Sequence, residues 1–196
     1  MDKQTKKQKK ITEFPNFFEL KNSERVSISI GIILLIICLY FFLAFASYLF
    51  SGSHDQSLLD NRSFSSLNEV RGKIENWTGA RGAYFAELFM NKWFGLSSFA
   101  ILYFLSIVGF RLLKVKIIPI WKAFIISACC LIWFSIFFKF CFPDSFLGGS
   151  YGHEMNLWLY DNFGIPGIVL LLFTSLFIFC LFAFNSTLPL LKKLFT

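Results

Sequence analysis

The chain has 196 residues, of which 56% are hydrophobic and 28 are Phe, with a net charge of +7 and a mean hydropathy of +0.60. That apolar load excludes a soluble globular domain, and the length leaves room for one membrane domain and little else. The positive charge is informative through its placement rather than its sum.

Residues 1–26 form a basic tail carrying Lys3, Lys6, Lys7, Lys9, Lys10, Lys21 and Arg25. Its first ten residues are too polar to bury a core. Their charges suit contact with anionic inner-leaflet lipid, at about 1 kcal/mol per charge near the surface. Phe14, Phe17 and Phe18 around Pro15 make an interfacial lead-in to the first of four apolar stretches, residues 27–50. The others are residues 94–113, 121–142 and 165–184. Each offers about 20 residues, enough at ~1.5 Å per residue to cross ~30 Å of hydrocarbon. Ala44-Phe45-Ala46 resembles a signal-peptide cleavage site. The apolar run over 28–43 is too long for a signal core, however, and continues into Tyr48, Leu49 and Phe50, which predicts an uncleaved anchor.

The first outer loop, residues 51–93, is too long for a plain connector. Over 63–77 the apolar residues Phe64, Leu67, Val70, Ile74 and Trp77 recur at steps of three or four. Glu69, Arg71, Lys73 and Glu75 take the other face, which predicts an amphipathic helix capped by Ser63, Ser65 or Ser66. A second amphipathic stretch over 79–93 sets Tyr84, Phe85, Leu88 and Phe89 against Arg81, Glu87 and Lys92. Asn91-Lys92-Trp93 marks a membrane interface. Both helices are expected to lie on the membrane surface or on the bundle, with a dedicated partner surface as the sharper alternative. In the second outer loop, Leu147-Gly148-Gly149-Ser150-Tyr151-Gly152 suits a tight turn or a close backbone approach.

Charge placement sets the orientation. The loop between the second and third stretches carries Arg111, Lys114, Lys116 and Lys122 and no acid. Residues 143–164 carry Asp144, Glu154 and Asp161 but no Lys or Arg, and Lys192-Lys193 follow the last stretch. The positive-inside rule then places both termini and the basic loop in the cytoplasm, and the other two loops outside. The expected fold is all-α and integral to the membrane, with four transmembrane helices and amphipathic helices in the first extracytoplasmic loop. Residues 27–184 form the membrane domain, and residues 185–196 begin a cytoplasmic linker.

Chemistry-bearing patterns are scarce. Cys38, Cys129, Cys130, Cys141 and Cys180 all fall in apolar stretches and read as small hydrophobes. His54 and His153 stand alone in loops, so no metal site is expected. Gly72-Lys73 is followed by Ile74 rather than Ser or Thr, and Leu67 occupies the first glycine position of a phosphate-binding loop. No zinc-protease helix or serine-hydrolase elbow occurs, so neither catalytic residues nor cofactors are expected. Lys139 is the charge deep within a stretch, three residues from its outer end, where its stem can snorkel to the headgroups. The i, i+4 row Ala123, Ser127 and Ser135, and the pair Ser27 and Gly31, read as close-packing faces.

Several fragments, taken in order, carry a resemblance. They are Tyr48-Leu49-Phe50, His54-Asp55-Gln56-Ser57, and Asn76-Trp77-Thr78-Gly79-Ala80-Arg81-Gly82-Ala83-Tyr84. Trp93-Phe94-Gly95-Leu96, Gly109-Phe110-Arg111-Leu112-Leu113, Pro143-Asp144 and the Gly148–Gly152 loop follow. Over residues 25–193 the chain resembles the N-terminal four-span membrane domain of the FtsK/SpoIIIE DNA translocases, in the form found in Bacteroidetes-like bacteria. Gln56 stands where a proline is common in the family.

The resemblance implies an inner-membrane anchor and assembly domain at the division septum, with roles in cell division and chromosome segregation. It implies division-site membrane proteins as partners beside the lipid bilayer, and homo-oligomerisation through a downstream motor. ATP, Mg and DNA would belong to that motor, with no residue to carry over here. The chain ends at Thr196, so a fragment, a truncated reading frame or a separately encoded anchor is expected. The surface expected to meet partners comprises Phe64, Leu67, Val70, Trp77, Tyr84, Gly148, Gly149 and Gly152. The alternatives are a small four-span transporter or channel, and a lipid-modifying membrane enzyme. The first wants a polar path; the second wants clustered Asp, His or Glu, and His54, Asp55, Asp60, Asp144 and His153 are thinly spread.

Overall fold

A computed structural model describes residues 17–59, 64–70 and 72–183. The tail lysines up to Lys10, the lead-in residues Phe14 and Pro15, the cap candidate Ser63, Arg71, and Lys192-Lys193 with the linker lie outside them. Among the described residues there is no strand. The elements are α1 (Phe17–Leu59), a 3-10 turn (Phe64–Val70), α2 (Gly79–Ala86) running on as π-helical turns (Glu87–Trp93), a second 3-10 turn (Gly95–Ser98), α3 (Phe99–Leu112), α4 (Ile120–Cys141) and α5 (Gly149–Ala183).

Four of these helical segments are long and apolar enough to cross a bilayer: Ser23–Leu59, Gly95–Leu112, Ile120–Cys141 and Phe146–Leu181. Their outward faces carry Ile, Leu and Phe, as helices in lipid require. Lipid is as apolar as these side chains, so close packing and polar contacts hold the helices together.

Helix α3 returns antiparallel along α1. At one end Phe99 packs edge-on against Phe42 and Phe45, with ring centroids 5.7 and 5.6 Å apart. At the other, Ser27 Oγ donates to the Leu112 carbonyl at 3.2 Å. Between them Gly31 lies so close to α3 that an added Cβ would stand 3.0 Å from the Gly109 carbonyl oxygen. Helix α4 follows α3, with Phe104 and Phe124 in ring contact, and buries its small-residue row Ala123, Ser127 and Ser135.

Helix α5 has two parts. Gly164 (φ 63°, ψ 179°) breaks its geometry, a conformation open to glycine because any Cβ would clash, and Pro166 follows immediately. The fourth apolar stretch of the sequence starts at the next residue, Ile165. Leu159, before the bend, and Ile168 and Leu172, after it, share one cluster with Trp133, Ile136, Phe137 and Phe140 of α4. The Trp133 indole N–H bridges to the Leu172 carbonyl (3.2 Å) and Ser175 Oγ (3.1 Å).

One expected element is corrected. Residues 63–77 do not form a single amphipathic helix: the turn Phe64–Val70 ends, and Gly72 takes φ 84°. The apolar spacing is present, but acceptors on α1 capture the backbone from residue 75 onward and outcompete helical bonding.

Candidate functional site: an outer loop latched to the first helix

Helix α1 runs 43 residues, about 64 Å at ~1.5 Å per residue, roughly twice the hydrocarbon thickness. Its outer part carries a polar row at helical spacing, Ser47, Ser51 and Asp55, all buried, with Asp55 at 0% exposure. Against this row lies the non-helical segment over residues 75–79. Asp55 Oδ1 accepts from the Glu75 amide at 2.8 Å and Oδ2 from the Asn76 amide at 2.9 Å. Ser51 Oγ, 3.1 Å from Oδ2, donates to the same carboxylate. Ser47 Oγ accepts from the Trp77 amide at 3.0 Å.

The remaining amides are served from within the segment. Thr78 N–H donates to Asn76 Oδ1 (3.1 Å), as does Thr78 Oγ1 (2.7 Å), and Gly79 N–H donates to the Asn76 carbonyl (2.8 Å). The Asn76 side-chain amide donates to the Ala44 carbonyl at 3.0 Å, and Tyr40 OH to the Thr78 carbonyl at 3.2 Å. Every backbone N–H from 75 to 79 therefore has an acceptor, as burial against an apolar helix demands. His54 Nδ1 lies 3.5 Å from Asp55 Oδ1 and 4.0 Å from Glu75 Oε1 at the solvent edge.

Helix α2 then packs along α1. Phe85 meets Phe41 at 5.4 Å and Phe89 meets Phe45 at 5.6 Å. Glu87 is buried, accepting Tyr48 OH at Oε2 and the Asn91 amide at Oε1, both at 2.7 Å. Its two oxygens are satisfied without a basic partner among the described residues.

A second junction joins this loop to the α4–α5 half. The backbone at Trp93–Gly95 touches Leu147–Gly149, where a Cβ on Gly95 would fall 2.0 Å from the Leu147 oxygen and one on Gly149 2.2 Å from the Trp93 oxygen. Ser135 Oγ donates to the Gly148 carbonyl at 2.6 Å. A Cβ on Gly152 would sit 2.3 Å from the Ser135 oxygen. Lys139 Nζ donates to the Ser145 carbonyl at 3.0 Å, at the outer end of α4.

The eight residues expected to meet partners divide sharply. Leu67 and Val70 are buried at 3% and 2% exposure, and Gly148, Gly149 and Gly152 lie inside the second junction. Tyr84 is half-buried against Phe64 and Phe85. Phe64 is partly open beneath the Arg81 guanidinium, and Trp77 is 66% exposed, stacked on the outward-facing Phe50. The sequence reading passed over Asp55, Asn76 and Glu87 as structural residues. The one local signal was the i, i+4 row of Ser47, Ser51 and Asp55 running past the end of an apolar stretch.

No group of His, Cys, Asp and Glu able to hold a metal occurs among the described residues. The five cysteines are free thiols, with Cys129 and Cys141 exposed on the helix surfaces. What the geometry builds is a rigid outer cap on a helical bundle. Four apolar helices, an outer loop folded back on the first of them and an outward apolar surface define a multi-pass membrane domain. The chain belongs to the family described as the 4TM region of DNA translocase FtsK/SpoIIIE, whose model matches residues 23–195. The ordered fragments from Tyr48 to Gly152 all lie within the matched residues. No individual curated protein and no solved structure matches the chain.

Proposed function

We propose that the chain is the membrane-anchoring and assembly domain of an FtsK-type DNA translocase, acting in cell division and chromosome segregation, with the ATP-driven motor outside this chain. The observation carrying this reading is the family match across residues 23–195 of the 196-residue chain. Four crossings return the chain to the side on which it began. The basic segment with Arg111, Lys114, Lys116 and Lys122 favours placing that side in the cytoplasm, where a motor meets DNA. Glu24 and Lys114 pair across the same end of the bundle.

The location proposed is the inner membrane at the division septum. Partners would be division-site membrane proteins, met through the open part of the outer cap around Phe64. The chain itself uses no cofactor and touches no DNA.

The test is a fluorescent fusion at the carboxyl end, imaged in dividing cells, beside a topology reporter at the same position. A mid-cell band with a cytoplasmic reporter signal is expected. Uniform membrane fluorescence would sink the septal role, and a reporter active only outside would sink the anchor.

A further inference from the structure

Helix α3 supplies a ruler for depth. Its apolar segment Gly95–Leu112 has 18 residues, about 27 Å at ~1.5 Å each, so nearly all of it is needed to cross the hydrocarbon. It pairs with α1 from Ser27, at Leu112, to Phe45, at Phe99. The hydrocarbon therefore surrounds α1 from about Ser27 to about Ser47. Asp55 stands above that zone, two helical turns beyond Ser47.

The loop does not stay above it. From Asp55 the segment descends: Trp77 N–H meets Ser47, the Asn76 side chain meets the Ala44 carbonyl, and the Thr78 carbonyl meets Tyr40. Tyr40 lies seven residues inside Ser47, about 10 Å of helix rise. Helix α2 starts at that depth and climbs, with Phe85 beside Phe41, Phe89 beside Phe45 and Glu87 beside Tyr48. Non-helical backbone is tolerated at such depth where protein satisfies its polar groups. That is the task met by Asp55, Ser47 and Asn76.

We infer that residues 75–93 form a re-entrant element inserted in the outer leaflet, latched by Asp55, whose open face binds lipid rather than water. The apolar part of its open face is Trp77, stacked on Phe50 of α1; they are 66% and 79% exposed with ring centroids 6.2 Å apart, while the element's exposed charges are Glu75, Arg81 and Lys92. Indole at the acyl–headgroup boundary is a favoured placement, and among the described residues no charged side chain is stacked on this pair. The latch makes the insertion conditional: without the carboxylate, the amides of Glu75 and Asn76 lose their acceptors and are better served by water above the membrane. This inference rests on the four-span membrane reading alone. A failure of septal localisation would leave it standing.

The test uses the full chain in lipid vesicles, with its five cysteines replaced by alanine and single probes at Gln56→Cys, Trp77→Cys, Ala80→Cys and Phe42→Cys. A bimane label reports depth through lipids spin-labelled at known positions, and a membrane-impermeant maleimide reports access from water. The probes at 77 and 80 should be quenched at a depth between those at 42 and 56. Their thiols should react at least about tenfold more slowly than that at 56, because reaction requires local opening. Equal reactivity at 77, 80 and 56 would overturn the insertion.

Adding Asp55→Ala should raise the rate at 77 and 80 toward that at 56 while the probe at 42 keeps its depth; an unchanged rate would overturn the latch. If Asp55→Ala also displaces the probe at 42, Ser47→Ala is the milder release. It should raise the rate at 77 more than that at 80, and no rise there would overturn the latch too.

Discussion

The two halves of the molecule hold together by different physics. In the half built from α1, the outer loop, α2 and α3, two carboxylates, two serines, an asparagine and two tyrosines bind backbone and one another at the outer end. In the α4–α5 half, ring stacking such as Trp133 on Phe137 and close glycine contacts do most of the work. The contrast follows from the backbone. Where the chain is a regular helix, its own ladder satisfies every amide and the side chains are free to be apolar. Where it leaves the helix beside lipid, side chains must supply the missing partners. A polar residue next to an apolar stretch is then a mark of irregular backbone, before it is a mark of chemistry.

The largest effect should come from the junction between the halves. Gly149 holds φ 63° and ψ −178°, and its absent Cβ would overlap the Trp93 carbonyl at 2.2 Å. Gly149→Ala must shift backbone on both sides, with an expected loss of about 3 kcal/mol or more. Unfolding in mixed detergent micelles would measure it. A loss under about 1 kcal/mol would mean that the junction is plastic and the halves are loosely coupled.

Asp55→Ala comes next. It strips acceptors from two backbone amides, at about 1–3 kcal/mol for each buried donor left unpaired, and leaves Ser51 Oγ the Ser47 carbonyl alone. Asp55→Asn keeps one acceptor oxygen and should cost less. Proteolysis within residues 72–78 in vesicles should separate the two variants. If Asn proves as damaging as Ala, the negative charge rather than acceptor count is what the loop needs. Glu87→Ala should follow the same logic on α2, freeing Tyr48 OH and the Asn91 amide together.

How much of this was legible in the sequence depends on how far apart the cooperating residues stand. The four apolar stretches are local patterns, and so are the faces that pack: Ser27 and Gly31 against α3, and Ala123, Ser127 and Ser135 inside the bundle. The latch joins Asp55 to residues 20 and 21 further on, and Tyr48 to Glu87 across 39. No periodicity encodes such a pairing. The reading of 63–77 as one helix failed for the same reason. Its 3.6-residue apolar spacing is genuine, and Leu67 and Val70 are buried as that spacing requires, but the competing acceptors belong to another element. The Gly148–Gly152 run was legible as a place of close backbone approach; that it opens α5, with Trp93, Gly95 and Ser135 as partners, was not.

In the second half the indole of Trp133 bridges α4 to α5, beside the Asn156 side-chain amide, which donates to the Ile136 carbonyl at 2.8 Å. Trp133→Phe keeps much of the stacking on Phe137 but removes both hydrogen bonds, so a loss of about 1 kcal/mol is expected, near the usual worth of one net hydrogen bond. A loss as large as that of Asp55→Ala would show that this half also depends on polar bonds, and would weaken the contrast drawn between the two.

Lys139 gives the smallest effect and the sharpest reading. It is a charge in an apolar helix, which by default marks a functional path. Its ammonium, however, reaches the Ser145 carbonyl just beyond the outer end of α4, and no carboxylate pairs with it among the described residues. A stem that snorkels to the surface has little to lose, so Lys139→Leu should change stability by less than about 1 kcal/mol. Ion flux in reconstituted vesicles should be the same for this variant and the parent chain. Because the substitution leaves the packing of Gly148 and Ser135 in place, any change in flux would have to come from the charge. A variant that stayed folded but altered conduction would move the chemistry of this domain from its latched outer loop to the interior of α4.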